Sequence, residues 1–427
     1  MSAIEKQVTS QPHGHILTNA GVWSPDGRWI VYDVRSDTAG TRFDGTRIER
    51  VDIQTGEMQL LYASKNGACV GAASCNPKDD RVVFMHGPEN PTPGWEYSFH
   101  NRFGAIVHAH ETGVANALDA RDLVAPFTAG ALRGGTHLHA FSPDGGWIAF
   151  TYDDDRDANQ RNIGISAPSG RVTVNEDHPR NYAGSHFSVL VTRTTSKPQP
   201  GSDEIGRAAE EAWVGTNGYI KPDGKRQQRA LAFQGTVVTE KGAPTSEVFI
   251  VDLPEDVTVP GDGPLQGTEN RRPFPPRGTV QRRLSFTGDR PHPGLQGPRH
   301  WLRSNPDGSR IAFLMKDDNG IVQIWTVSPN GGEPMQLTHN CWDIASAFTW
   351  SADGKTIAHV MDNSVCVTTA ATGQTDRLTQ RSSDAMAPRP EACVISPDGS
   401  KIAYVKRVLT KGQETNQLFV LEIGTPG

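Results

Sequence analysis

His137 and His139 stand two residues apart in the stretch Arg133–Gly145, which reads Arg-Gly-Gly-Thr-His-Leu-His-Ala-Phe-Ser-Pro-Asp-Gly. In an extended segment successive side chains alternate faces, so both imidazoles would project from the same side. Two neutral imidazoles placed this way suit cis coordination of one zinc, manganese, iron or nickel ion. His186, in Gly-Ser-His-Phe-Ser, and His300, beside Arg299, extend the candidate ligand set. Arg133, Arg299 and Arg102 are candidates to clamp carboxylates bidentately, and the first two are also candidate catalytic groups. His86, Trp95, Tyr97 and His100 share a long connection containing Pro88, Pro91 and Pro93. They read as a substrate pocket with aromatic platforms for sugar rings. The plainer alternatives are a packed Pro-rich loop, structural salt bridges for the arginines, and histidines hydrogen-bonded to buried water.

The elements that must hold these residues are short strands. The chain has 427 residues, only 36% apolar, yet 44 glycines and 30 prolines, so turns recur too often for long helices. A net charge of −6 with scattered Lys and Arg gives no electrostatic basis for binding nucleic acid or an anionic membrane. The five cysteines are odd in number and include no Cys-x-x-Cys pair, which fits reduced thiols in a cytoplasmic protein. Residues 1–6 contain no apolar signal region, and no stretch approaches the roughly 20 apolar residues that span a bilayer.

One turn recurs. Ser-Pro-Asp-Gly occurs at Ser24–Gly27, Ser142–Gly145 and Ser396–Gly399. Variants start at Asn76, Lys221, Asn305 and Ser351. Pro presets φ, Asp caps the turn locally and Gly takes positive φ. An apolar run then follows, as in Trp29–Tyr32, Arg81–Phe84, Trp147–Phe150, Arg310–Phe313, Thr356–His359 and Lys401–Tyr404. A second marker, Leu-Thr or a relative, stands at Val8-Thr9, Leu284-Ser285, Leu337-Thr338 and Leu378-Thr379. Marker, hairpin and a third apolar strand make a four-stranded meander of about 45 residues, the period of a propeller blade. Seven such units centre on Pro25, Pro77, Pro143, Pro222, Pro306, Ala352 and Pro397. The expected fold is therefore all-β: one seven-bladed propeller spanning residues 1–427, with Ile4–Thr9 closing the last blade. The fourth unit, His186–Phe233, is irregular and carries an insertion around residues 198–230. Within it, Asp203–Trp213 reads as a helix from the apolar stripe Ile205, Ala208, Ala209, Ala212 and Trp213.

In a propeller the first strand of each blade lines the channel. Counting back six residues from each turn's Pro, or from Ala352, gives Asn19, Gly71, His137, His300, Ser346 and Glu391, and Thr216 in the irregular blade. Four positions back, His139 is the only histidine. The expectation is a channel metal site of His137, His139, His186 and His300. Asn19 and Glu391 would stand nearby and, with His86, Trp95 and His100, contact substrate.

The turns and Leu-Thr markers resemble the TolB-type (WD40-like) propeller repeat over nearly the whole chain. Stretches such as Leu132–His139, Pro198–Glu204 and Phe313–Gln323 resemble an uncharacterised bacterial family of TolB-like propellers. The architecture is also similar to oligogalacturonate lyase, whose channel holds manganese with three histidines and a glutamine. His137 and His139 match its His-x-His element, although Gly134, Gly135 and Thr136 precede them and no glutamine stands near. This resemblance implies a metal-dependent lyase, with manganese, acting by β-elimination on an acidic, uronate-containing oligosaccharide. Arg133 or Arg299 would then act as base or carboxylate clamp. The alternative is a non-catalytic scaffold binding a protein partner at its rim.

Overall fold

A computed structural model of the protein describes residues 4–154, 160–299, 301–410 and 412–424. These residues form seven four-stranded antiparallel sheets and no α-helix. The first strands of the seven blades are Gly14–Ile16, Val70–Cys75, Gly135–Phe141, Arg207–Trp213, Arg303–Ser304, Thr349–Trp350 and Pro388–Ile395. Each blade packs on the next, and blade one packs on blade seven. The fourth strand of blade seven is Ile4–Gln7, which pairs with Gln413–Glu422 and closes the ring as expected.

The repeat residues build this ring by local hydrogen bonding. In the turns, the hydroxyls of Ser24, Ser142, Ser351 and Ser396 each reach the turn aspartate two residues on. Each also accepts the amide five residues on, at 2.9–3.0 Å. Gly27, Gly145, Gly354 and Gly399 follow at φ between +66° and +74°, where a Cβ would be strained. The marker hydroxyls act across strands. Those of Thr9, Ser285, Thr338 and Thr379 accept the amides of Leu418, Val248, Ile324 and Val365 at 2.8–3.0 Å. Thr192 does the same for Ile163 at 2.9 Å, so Val191-Thr192 is a further marker.

Core packing lies between blades. Tyr32, Phe84, Phe150, Phe233, Phe313, His359 and Tyr404 hold one equivalent site on the seven second strands, and all are buried. Three tryptophans, Trp213 and Trp350 at the ends of first strands and Trp23 beyond one, staple neighbouring blades. Trp23 donates its indole N–H to the Val394 carbonyl at 3.1 Å, Trp213 to Ala140 at 3.0 Å, and Trp350 to Arg303 at 3.1 Å.

The fourth blade departs from expectation. Arg207–Trp213 is a strand, not part of a helix. A bulge lies between Ala209 and Ala212, with Glu210 at φ +60°. The extra residue turns period-two alternation into a three-to-four spacing, which imitates a helical stripe. The Pro222 turn belongs to a small hairpin, Tyr219–Ile220 with Arg226–Gln227, inserted between the first and second strands. Thr216 therefore lies beyond the first strand, and its amide bonds the Pro306 carbonyl of blade five at 2.7 Å. Phe187–Leu190, just after His186, is the outer strand of blade three.

Candidate functional site in the channel

The first strands and their turns enclose a cavity of about 470 Å³ to which all seven blades contribute. Its walls include Trp23, Trp213, Trp301 and Trp350. Its polar groups include Asn19, Glu210, Glu211 and Arg303.

The bulge that hid the fourth blade's strand also delivers its carboxylates. Blades two, three and four carry equivalent register shifts at Gly71/Ser74, His137/Ala140 and Ala209/Ala212. In each, the residue after the last regular pair has positive φ: Ala72 at +54°, Leu138 at +56° and Glu210 at +60°. Glu210 and Glu211 are thus the structural counterparts of Leu138 and His139. Both glutamates are half-buried, and both line the cavity. Glu211 accepts a hydrogen bond from Thr151 Oγ1 at 2.7 Å. Burial, reinforced by neighbouring Glu210, pushes its carboxyl up to about 7. Burial pushes Arg303 down to about 10, opposed by the charges of Glu210 and Glu211. Two adjacent carboxyls, one titrating near neutrality, and a cation between tryptophan walls suit proton transfer on a bound anion.

Among the described residues, the expected histidines do not converge. His137 and His139 leave a common face because the bulge breaks alternation between them, and it is Leu138 and Ala140 that line the cavity. His139 is fully buried, with Nε2 3.0 Å from Thr136 Oγ1. Its ring lies against blade two, where a Cβ on Gly104 would come within 2.7 Å of Nε2. Burial, with Arg102 nearby, lowers it to about 3. His137 is half-buried and held well below the usual imidazole range by burial, then by Arg102 and Arg161. His186 packs on the edge of blade two, its amide bonding the Leu118 carbonyl at 3.0 Å. Burial and Arg81 lower it to about 4. His300 lies outside the described residues. His137, His139 and His186 are not among the described residues whose ligand atoms converge on one point, so these three do not fit a shared metal ion.

The remaining candidates divide. Asn19 lines the cavity, its amide donating to the Ala72 carbonyl at 2.9 Å. Glu391 and Arg299 come together at 3.8 Å, but Arg389 grips Glu391 more closely, at 2.7 and 3.1 Å. Arg133 is engaged elsewhere: its guanidinium donates to the Thr268 and Arg271 carbonyls at 2.7 and 3.0 Å, so it is not placed as a channel base. His86 is a core residue between blades, 3.0 Å from the Tyr62 hydroxyl and stacked on Phe103. Trp95 packs near the guanidinium groups of Arg121 and Arg180. His100 gives its carbonyl to Arg121 at 3.0 Å. Neither His86, Trp95 nor His100 lines the cavity. Arg121 is itself buried and also holds the Arg102 and Gly134 carbonyls at 3.0 and 2.9 Å, so it anchors this loop.

Glu210, Glu211 and Arg303 escaped the sequence reading because the helix expectation covered the two glutamates. The available signal was Trp213, which corresponds to Trp23 and Trp350 rather than to a helix face.

Known proteins place the chain as follows. Residues 69–182 match the family described as protein of unknown function, DUF3748. Oligogalacturonate lyase in complex with manganese is structurally similar, with a TM-score of 0.57 at 12% identity over 99% of this chain and 96% of that one. The putative TolB from Agrobacterium tumefaciens matches with a TM-score of 0.42 at 15% identity, over 89% of this chain and 98% of that one. The uncharacterized protein YidR of Escherichia coli (strain K12) is 49% identical over 98% of this chain and 96% of its own length. Identity at that level along essentially the whole propeller means that the chain belongs to the YidR family.

Proposed function

We propose that the protein is a carbohydrate-active enzyme, a lyase that acts by β-elimination on an acidic oligosaccharide held in the channel. The observation that carries this reading is Glu211, a carboxyl pushed up to about 7 in a cavity that also holds Arg303. Trp213 and Trp350, half-buried on the cavity wall, offer faces on which sugar rings stack. Arg303 pairs with the uronate carboxylate and offsets the negative charge that grows as the α-proton leaves. Glu211 takes that proton. The C–H electron pair becomes the new double bond, the bond to the leaving oxygen breaks, and water protonates that oxygen. No step is routed through a metal, because the described histidines expected to bind one are dispersed. The similarity to a lyase fold, at 12% identity, supports the reaction class and nothing finer.

Ultraviolet absorbance of the unsaturated product, followed with oligogalacturonides and other uronate oligomers, tests the reading. Wild type is expected to generate product, and Glu211→Gln to lose about 100-fold or more in kcat. Arg303→Met is expected to raise KM and to lower kcat as well, because the guanidinium meets both the carboxylate and the charge that grows beside it. Absence of product from wild type with every uronate oligomer would sink the proposal.

A further inference from the structure

Blade two carries a second cluster, away from the channel. Its first turn ends at Asp80; His108 ends its third strand, Phe103–His108, and His110 lies in the connection to its fourth, Glu111–Ala117. Antiparallel pairing brings these two connections to the same face, since Arg81 stands opposite His108. One donor atom from each of Asp80, His108 and His110 lies within 4.8 Å of the others. His108 Nδ1 is 3.2 Å from Asp80 Oδ1, and His110 Nδ1 meets Asp80 Oδ2.

The backbone holds this arrangement. The Ala109 amide donates to the Asp80 carbonyl at 3.0 Å, and the His110 amide to Asp80 Oδ2 at 3.2 Å. Neighbouring Asp79 is engaged by Arg81 at 2.8 Å. Asp80 has no Lys or Arg ion pair among the described residues; its carboxylate meets the imidazoles of His108 and His110.

We propose that Asp80, His108 and His110 bind one divalent first-row transition ion. Two imidazoles and one carboxylate are the donor set such ions take, and water completes the coordination. The side chains are 36%, 40% and 72% exposed, so the ion enters without opening the fold. It ties the blade-two turn to the adjacent hairpin. The site is independent of Glu211 and of the lyase reading.

The test is equilibrium dialysis of the full chain against zinc chloride followed by elemental analysis, with cobalt(II) as an absorbance probe. Wild type and Glu211→Gln are expected to retain one ion per chain. The His108→Ala/His110→Ala double variant is expected to retain none, and Asp80→Asn to bind roughly tenfold more weakly or worse. Circular dichroism checks the fold. If the double variant fails to fold, His110→Ala alone, at the most exposed ligand, is expected to weaken binding to the same degree. Wild type without zinc above the buffer blank overturns the proposal. So does undiminished zinc in a folded double variant or, failing that, in His110→Ala.

Discussion

Glu211 links the chemistry of the channel to the stability of the fold. Its carboxyl titrates at an ordinary 4.5 in the unfolded chain and at about 7 in the folded one. Between those values the folded protein keeps a proton that the unfolded chain has released. Stability therefore falls as pH rises through that window, and the loss is complete above about pH 7. Glu211→Gln removes the charge while leaving an oxygen to accept from Thr151. The variant should be more stable than wild type above about pH 7, by at most about 3.5 kcal/mol, since one pKa unit corresponds to about 1.4 kcal/mol. Below pH 4.5 the difference should vanish. Urea midpoints across this range read it directly. A variant that is less stable at high pH would mean that Glu211 is held by favourable charge contacts instead. The same substitution is predicted to cut kcat by about 100-fold or more, so lost activity with gained stability would separate catalysis from unfolding.

The elements divide into those whose chemistry is local and those whose chemistry is not. A Ser-Pro-Asp-Gly turn closes on itself, and a marker hydroxyl such as Thr338 bonds the next strand inward in its own blade. Such features repeat in sequence because they repeat in structure, and blade number and ring closure could be read from them. The channel was not legible in the same way. One bulge residue, Leu138 in blade three and Glu210 in blade four, reverses which side chains face the cavity, and nothing in the residue types announces positive φ there. His139 consequently belongs to the packing between blades two and three, whereas its counterpart Glu211 belongs to the site. The tryptophan staples are the element-scale feature most open to test. Trp350→Phe keeps the ring and removes the indole donor to the Arg303 carbonyl, 3.1 Å away. It should cost about 1 kcal/mol, because the part-buried carbonyl is left without that donor. Thermal unfolding measures this, and an unchanged Tm would show that the carbonyl finds another donor. Since Arg303 lines the cavity, the same variant should also raise KM for an acidic substrate.

At the scale of the whole molecule, the N-terminal strand turns an array of sheets into a ring. Ile4–Gln7 pairs along Phe419–Glu422, and the Val8 amide continues the ladder to the Leu418 carbonyl at 2.9 Å. Thr9 Oγ1 donates to Gln417 Oε1 at 2.7 Å, and Lys6 Nζ reaches across to the Ile53 carbonyl of blade one at 2.7 Å. Val8 is buried in a core shared by the first, second and seventh blades. Removing residues 1–9 therefore does more than shorten a terminus. It uncovers the backbone edge of Gln413–Glu422, a template for pairing with another chain. It also removes Val8 from a core that spans the closure. Loss of that side chain and of the strand's hydrogen bonds should destabilise the protein by about 3 kcal/mol or more. Calorimetry should show a lower Tm for the truncated chain, and light scattering should show a larger mass than that of wild type. If the strand were only a trimming on an open array, the truncated chain would keep both the Tm and the mass of the wild-type species. A ring predicts that both change together, because the same edge supplies the stability and the new contact.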